Sequence, residues 1–340
     1  MASRASQQSI RSIIRRSTLS PSDKLNILTF CTHERYEQNL CRTGHNFYSI
    51  NHGKTWNKDF GKIPENYQEG DVAPWHVNFD LILCHTSCER VSLAKQLQAL
   101  FNIPILRHTH VLPDIRYDVA QQVDGFNSIP VEHNSFISTY NMKQWGNHKN
   151  QNTSVIEHGI DVDFWDSGDN PERENVLLSV VNQWPDRDWC CGWNLWRETV
   201  NFSSPSQMPI RVLGDSPGLS KPAESIEALR HAYKSSSIFL NTSIHSPVPT
   251  VLMEAMASGC AVVSTNNCMI PEIIQHGENG LLADTADELR ASCQYLLDNP
   301  SKARELGEAA KRTMQEKFNL QRFVDNWNTL FFNVIDNYRK

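Results

Sequence analysis

Between Leu25 and Gly159 short apolar runs alternate with longer polar stretches: LNILTF, HNFYSI, FDLILCHT, IPILRHTH, FNSIPV and TSVIEHG. Runs of about four to eight residues with β-branched content predict buried strands of a mostly parallel sheet joined by crossover helices. The stretch from Ile50 to Trp75 is rich in Gly, Lys, Asn and Pro, breaks that rhythm, and reads as a long surface excursion. A polar segment, Asp166 to Asn175 with Gly168 and Pro171, reads as an interdomain linker and hinge. The rhythm then restarts with VLLSVV, PIRVLG, SIFLNTS and CAVVST. Between and after these runs, ESIEALRHAYKSS, PTVLMEAMASG, Asp287 to Leu297 and Ser301 to Glu316 read as helices.

The last segment is strongly periodic. Leu320, Phe323, Val324, Trp327, Leu330, Phe331, Val334, Ile335 and Tyr338 recur at steps of three and four, giving one wide apolar helix face that must be covered. The first twenty residues carry Arg4, Arg11, Arg15 and Arg16 without an acid and lack the apolar core of a secretory signal. They read as a flexible basic tail, or else as a short helix laying Ile10, Ile13 and Ile14 on anionic lipid, or as an organelle-targeting segment. The expected organisation is therefore a tail over 1–20, one α/β domain over 25–165, a second over 172–317, and a helix over 318–340.

Composition narrows the classes. The chain has 340 residues, and 32 Lys plus Arg against 38 Asp plus Glu leave a net charge of −6, which gives nucleic-acid binding no support. No apolar run approaches the ~18 residues of a membrane span. The nine cysteines are scattered and odd in number, as in a reduced cytoplasmic protein. Cys84 and Cys88 form a close pair with no second pair at matching spacing, so no zinc site is expected. GxxxxGK[ST], HExxH, GxSxG and a dinucleotide-binding GxGxxG after the first strand are all missing.

The richest chemistry lies in Ser243 to Leu282, SIHSPVPTVLMEAMASGCAVVSTNNCMIPEIIQHGENGLL. Pro247 and Pro249 fix an extended turn and remove two backbone donors, so a helix starts near Thr250 with first-turn N–H groups open to an anionic or hydroxyl-rich ligand. Glu254, one turn in and flanked by Val251, Leu252, Met253, Ala255 and Met256, is expensive to bury without a partner. A ribose diol is one such partner, and a neighbouring loop is the structural alternative.

LMEAMASGCAVVST followed by PEIIQHGENGLL resembles the donor-binding region of family 4 glycosyltransferases, retaining nucleotide-sugar enzymes of the GT-B fold. More weakly, VIEHGIDVDFW resembles that family's segment at the end of the first domain. The resemblance implies two Rossmann-like α/β/α domains facing each other across a cleft, with the C-terminal helix returning to the first. It implies transfer of a sugar from a nucleoside-diphosphate sugar to an acceptor hydroxyl with retention, no cofactor and no required metal. The acceptor would be a glycan, a lipid-linked molecule or a small molecule, with the enzyme cytoplasmic and free to associate peripherally with a membrane.

Residue by residue, the resemblance assigns Glu254 and Thr250 to the nucleotide, and Ser246, Pro247, Val248 and Pro249 to the donor sugar. Ser246 departs from the pattern, because the family has a glutamate eight residues before Glu254. The usual basic pair after the second domain's first strand is also absent, and VVNQWPDRDWCCGWNLWRE stands there. Arg187 and Lys221 are the candidates to hold the diphosphate, with an ion pair to Asp186 or Asp188 as the alternative for Arg187. Trp189, Trp193 and Trp196 read as one helix face packed in the core, and Trp184 as either core or a loop platform for a sugar or base. Six residues beyond Pro104, His110 takes the family's histidine beside the donor, with His108 as its partner. His33, Glu34 and Arg35 replace a glycine-rich turn and form the expected acceptor-side wall. Two alternatives follow: a nucleotide-sugar binder without turnover, and an inverting enzyme with Asp114 or Glu34 as general base.

Overall fold

A computed structural model describes residues 4–51, 54–58, 61–85 and 88–339. The chain divides into two compact units, Met1–Glu157 with Gln321–Lys340, and His158–Leu320. The first holds strands β1 (Asn26–Thr29), β2 (Asn46–Ile50), β3 (Tyr67–Gly70), β4 (Leu81–His85), β5 (Ile105–Thr109), β6 (His133–Phe136) and β7 (Thr153–Val155). Their order is β3-β2-β1-β4-β5-β6-β7, all parallel. Every residue of β4 and β5 is buried, as expected of central parallel strands covered on both faces. The order reverses between β1 and β4, so a crevice opens at the carboxyl ends of those strands.

Helix Leu320–Arg339 lies in this unit, with Phe323, Trp327 and Phe331 buried. Phe323 meets the Tyr36 ring at 5.5 Å, Trp327 meets His108 at 4.8 Å, and Phe331 meets His45 at 5.7 Å. Burying three such aromatics contributes roughly 1.5–3 kcal/mol each.

The second unit holds β8 (Glu174–Val180), β9 (Ile210–Leu213), β10 (Ser236–Asn241), β11 (Ala261–Thr265) and β12 (Leu281–Ala283). They run parallel in the order β12-β11-β10-β8-β9. Here the reversal falls between β8 and β10. Leu177, Ile238, Leu240 and Val263 from the strands and Leu289, Leu296 and Leu306 from the covering helices form one core. Helix Ala286–Asp298 begins with a capping box between Thr285 and Glu288.

Four expectations are corrected. The excursion from Ile50 to Trp75 contains the edge strand β3 and the buried Trp56, whose indole donates to Gly61 O at 2.8 Å. FNSIPV is not a strand: Phe126 to Ser128 close helix Val119–Ser128, which Asp118 caps, and β6 starts at His133. The flexible-tail reading gives way to the short-helix one: the segment is helix Arg4–Thr18, with Arg15 paired to the buried Asp80 at 2.7 Å, Gln8 donating to Val77 O and Arg16 to Asn102 O. Ile10, Ile13 and Ile14 remain exposed on it, and residues 1–3 lie outside the described residues.

Lastly, the first unit closes at Glu157 rather than near 165. Ile160 N donates to Phe318 O at 2.8 Å, and Lys234 Nζ donates to the carbonyls of Asp166 and Ser167 at 2.7 and 3.0 Å. The start of the presumed linker is thereby held in the second unit. No described helix is long and apolar enough to cross a membrane.

Candidate functional site

In the second unit the candidate residues fall on loops at the carboxyl ends of β8, β9 and β10, which are neighbours in the sheet. The loop after β10 is pinned from below. Thr242 Oγ1 donates to Gly192 O at 3.0 Å, and the amides of Ile244 and His245 donate to Cys190 O at 2.9 and 3.1 Å. This seating requires glycine at position 192, where φ is +65° and a Cβ would lie 2.0 Å from Thr242 O. Val248 and Pro249 are buried, Ser246 and Pro247 partly so, and Thr250 is exposed at the start of helix Thr250–Ala257. Pro249 occupies the N-cap without a side-chain cap; its carbonyl accepts from Leu252 N at 3.0 Å, and the cap offers no side chain to the amides of Thr250 and Val251.

Glu254 is 4% exposed, among Leu252, Met253, Ala255 and Met256, which are fully buried. The hydroxyl of Tyr233, from helix Ile226–Ser235, donates to its Oε2 at 3.1 Å. That contact orients the carboxylate and supplies part of the polar partnership its burial demands.

Arg187 ends a single 3-10 turn, Pro185–Arg187, after β8 and is exposed. Its Nη1 reaches Asn182 O at 3.5 Å, while the Asp188 carboxylate is taken by Asn194 N and Nδ2 at 2.8 and 2.7 Å. Lys221 is exposed after β9, and its carbonyl accepts from Gly214 N at 3.0 Å.

Two expectations about the tryptophans change. Trp184 is fully buried, its indole N–H donating to Cys191 O at 3.0 Å and its ring 4.7 Å from Trp196, so it is core and not a platform. Trp189 does not share a helix with Trp193 and Trp196, because the left-handed Gly192 separates Asp188–Cys191 from Trp193–Val200.

In the first unit the chemistry gathers at the carboxyl ends of β1, β4 and β5. His110 follows β5 and is partly exposed, and its Nε2 lies 2.8 Å from His85 Nδ1. His108 is fully buried and held at both ring nitrogens, by Tyr36 Oη at 2.8 Å and Ser135 Oγ at 2.9 Å. The rings of His108 and His110 meet edge to face at 4.4 Å. Sequence reasoning missed Tyr36, Glu37 and His85. A polar residue closing the apolar run FDLILCHT was the available sign of His85.

Burial pushes the Glu37 carboxyl up to about 8 and drives the His85 imidazole down to about 3, so both are neutral near pH 7. Of the acceptor-side trio, His33 is exposed at the N-cap of helix Glu34–Cys41 and Arg35 is partly exposed. Glu34 is a correction, being 1% exposed. Its carboxylate accepts from Asn57 N at 3.0 Å and Lys54 Nζ at 3.2 Å. Burial works to raise its pKa, but those bonds hold it below the usual carboxylate range. It clamps the 54–57 segment and is not presented as a base. Asp114 is committed too, to Arg116 at 2.7 and 3.0 Å. Cys84 is buried in β4, and the side chain of Cys88 lies outside the described residues.

The Glycosyl transferases group 1 family model matches residues 222–313, the stretch holding the loop after β10, Tyr233 and Glu254. N-acetyl-alpha-D-glucosaminyl L-malate synthase of Bacillus anthracis is 34% identical over 87 residues, 25% of this chain and 23% of that protein. The chain thus matches about a quarter of that relative's length. Sucrose-phosphate synthase from Thermosynechococcus elongatus superposes with a TM-score of 0.71 at 14% identity, covering 92% of this chain and 100% of that one. Alr3699/HepE of Anabaena, in complex with UDP, superposes with a TM-score of 0.69 at 14% identity over 90% of this chain and 98% of that one. The chain carries the GT-B architecture, two Rossmann-like α/β units with a C-terminal helix, and is related to the glycosyl transferases of group 1.

Proposed function

We propose that the protein is a retaining glycosyltransferase that moves a hexose-like sugar from a nucleoside diphosphate to an acceptor hydroxyl. The observation that carries this reading is the helix Thr250–Ala257, whose start has no side-chain cap and which holds a buried Glu254 steadied by Tyr233, inside the stretch matching the group 1 family. Glu254 accepts from the ribose hydroxyls. Helix-start amides with Arg187 and Lys221 hold the diphosphate and stabilise it as leaving group. Ser246, Pro247, Val248 and Pro249 line the sugar, and the resemblance gives His110 a hydrogen bond to a donor hydroxyl or phosphate. His33 and Arg35 remain the acceptor-side candidates. The acceptor is a glycan, a lipid-linked molecule or a small molecule, and no metal enters the reaction.

The complex of the Anabaena protein with UDP makes uridine donors the first to test. Initial-rate assays over nucleotide sugars and acceptors, with the product's anomeric configuration read by NMR, test the proposal. Retained configuration is expected, and an inverted product overturns it. A second reading, nucleotide-sugar binding without turnover, draws on Ser246, which cannot supply the negative charge of a glutamate there. Donor binding with no transfer across the panel would favour it.

A further inference from the structure

We propose that Glu37, His85 and His110 form one proton-transmitting chain in which Glu37 and His85 are positioning residues that set which nitrogen of His110 carries its proton. The consequence for donor binding rests on His110 contacting the donor, as proposed above; the chain itself does not.

His85 is the last residue of β4 and is 1% exposed, and Glu37 on helix Glu34–Cys41 is fully buried. His85 Nδ1 lies 2.8 Å from His110 Nε2, and His85 Nε2 lies 3.4 Å from Glu37 Oε1. Among the described residues neither His85 Nε2 nor Glu37 Oε2 has a hydrogen-bond partner, while Glu37 Oε1 accepts from Thr32 N at 3.2 Å, so the imidazole and the second carboxyl oxygen are left to satisfy each other.

A single proton can lie between the two ring nitrogens at 2.8 Å, and a neutral imidazole has one N–H. The chain therefore has two arrangements. With Glu37 protonated, its O–H donates to His85 Nε2, His85 Nδ1–H donates to His110 Nε2, and His110 carries its proton on Nδ1. With Glu37 ionised, His85 Nε2–H donates to the carboxylate and His110 Nε2–H donates to His85 Nδ1, leaving Nδ1 of His110 as a lone pair. Passing from the first to the second moves one proton along each link and releases one to solvent from the partly exposed His110 ring. No ring becomes charged, and a buried imidazolium is avoided.

The charged and titratable groups facing Glu37 are Glu34, Tyr36 and Cys41 on its own helix, Lys54, Arg90 of helix Cys88–Phe101, Cys31 after β1, Tyr67 of β3 and His85 of β4. Burial outweighs Lys54 and Arg90 and holds the carboxyl protonated up to about pH 8. Besides Glu37, the groups facing His85 are Arg90, Tyr36, His108 and His110. Near neutral pH, His110 is thus an N–H donor at Nδ1, suited to a phosphate or hydroxyl oxygen.

Histidine-selective 15N NMR of the full chain between pH 6.5 and 9, with the His110 signals assigned by a His110→Gln variant, tests the chain. The expected result is a tautomer change at His110 from Nδ1–H to Nε2–H centred near pH 8. Glu37→Gln, whose amide N–H replaces the acid O–H toward His85, should hold His110 as Nδ1–H throughout. His85→Asn is the second variant and should also abolish the pH dependence. No tautomer change in the wild type, or the same change in either variant, overturns the proposal. Parallel titrations with UDP-glucose should show affinity falling about three- to tenfold from pH 7 to 9 in the wild type, and within twofold in Glu37→Gln. A tautomer change without any effect of His110→Gln on affinity would support the chain and reject the donor contact.

Discussion

Glu254 and Ser246 divide the work of donor binding in the proposed site. Glu254→Gln keeps the shape and the Tyr233 contact but replaces one acceptor oxygen by a donor. It should weaken both a nucleotide sugar and the free nucleoside diphosphate by about tenfold or more, since a hydrogen bond to a charged group is worth about 1.5–3 kcal/mol. Ser246→Ala should leave free nucleotide affinity unchanged while lowering transfer or intact-donor affinity, because a contact confined to the transferred group acts selectively. Donor and nucleotide titrations beside a rate assay read both, and equal losses in Ser246→Ala would reject its assignment. Arg187→Ala should raise the donor dissociation constant about tenfold. An unchanged constant with the fold intact would shift the phosphate role to Lys221. The exposure of Arg187 and the engagement of Asp188 by Asn194 fit a guanidinium held for a ligand better than the ion pair to Asp188.

At the scale of elements, the left-handed turn at Gly192 couples two loops. It breaks the tryptophan-bearing segment into two helices and seats Thr242 to His245 on the carbonyls of Cys190 and Gly192. Gly192→Ala meets both a positive φ and a backbone oxygen, and should cost about 2 kcal/mol or more. Gly44 also has a positive φ, with nothing within 4 Å of a Cβ, so Gly44→Ala should cost about 1 kcal/mol and spare donor affinity. Denaturant titrations of the two variants compare them, and equal losses would contradict the close approach.

The same elements show what was legible. Central strands announced themselves because both faces are buried, making VLLSVV or FDLILCHT continuous apolar runs. The edge strand Tyr67–Gly70 did not, since of its four residues only Tyr67 is buried. FNSIPV misled because Phe126 is apolar for a helix packing contact with Trp145 at 4.6 Å, not for a sheet. Pro249, Thr250 and Glu254 were readable from local spacing on one helix. The chain through Glu37 and His85 was not, because a helix after β1 meets the tip of β4 only once the sheet order brings them together.

For the whole molecule, three buried groups and the partly buried His133 shape stability against pH. His45 and His133 are pushed down to about 4 and His85 to about 3, all by burial. The unfolded chain takes up these protons near pH 6.5 and the folded chain refuses them, so stability falls as pH drops from about 6.5 toward 4. Glu37 acts oppositely: raised to about 8, it keeps in the fold a proton that the unfolded chain has released, so stability falls as pH rises toward 8. These groups place a maximum near pH 6.5. Thermal midpoints across pH 4.5–8.5 should show it, and Glu37→Gln should flatten the alkaline side. A midpoint constant below pH 6.5 would contradict the neutral state of these three histidines. The central claim for the molecule is that the second unit binds a nucleoside diphosphate through Glu254 at the carboxyl ends of β8 and β10. Titration calorimetry of the full chain with UDP and the other nucleoside diphosphates tests it most directly. Saturable binding of one of them is expected, weakened about tenfold or more in a folded Glu254→Gln protein; no binding by any nucleoside diphosphate, or equal affinity in the variant, would contradict the claim.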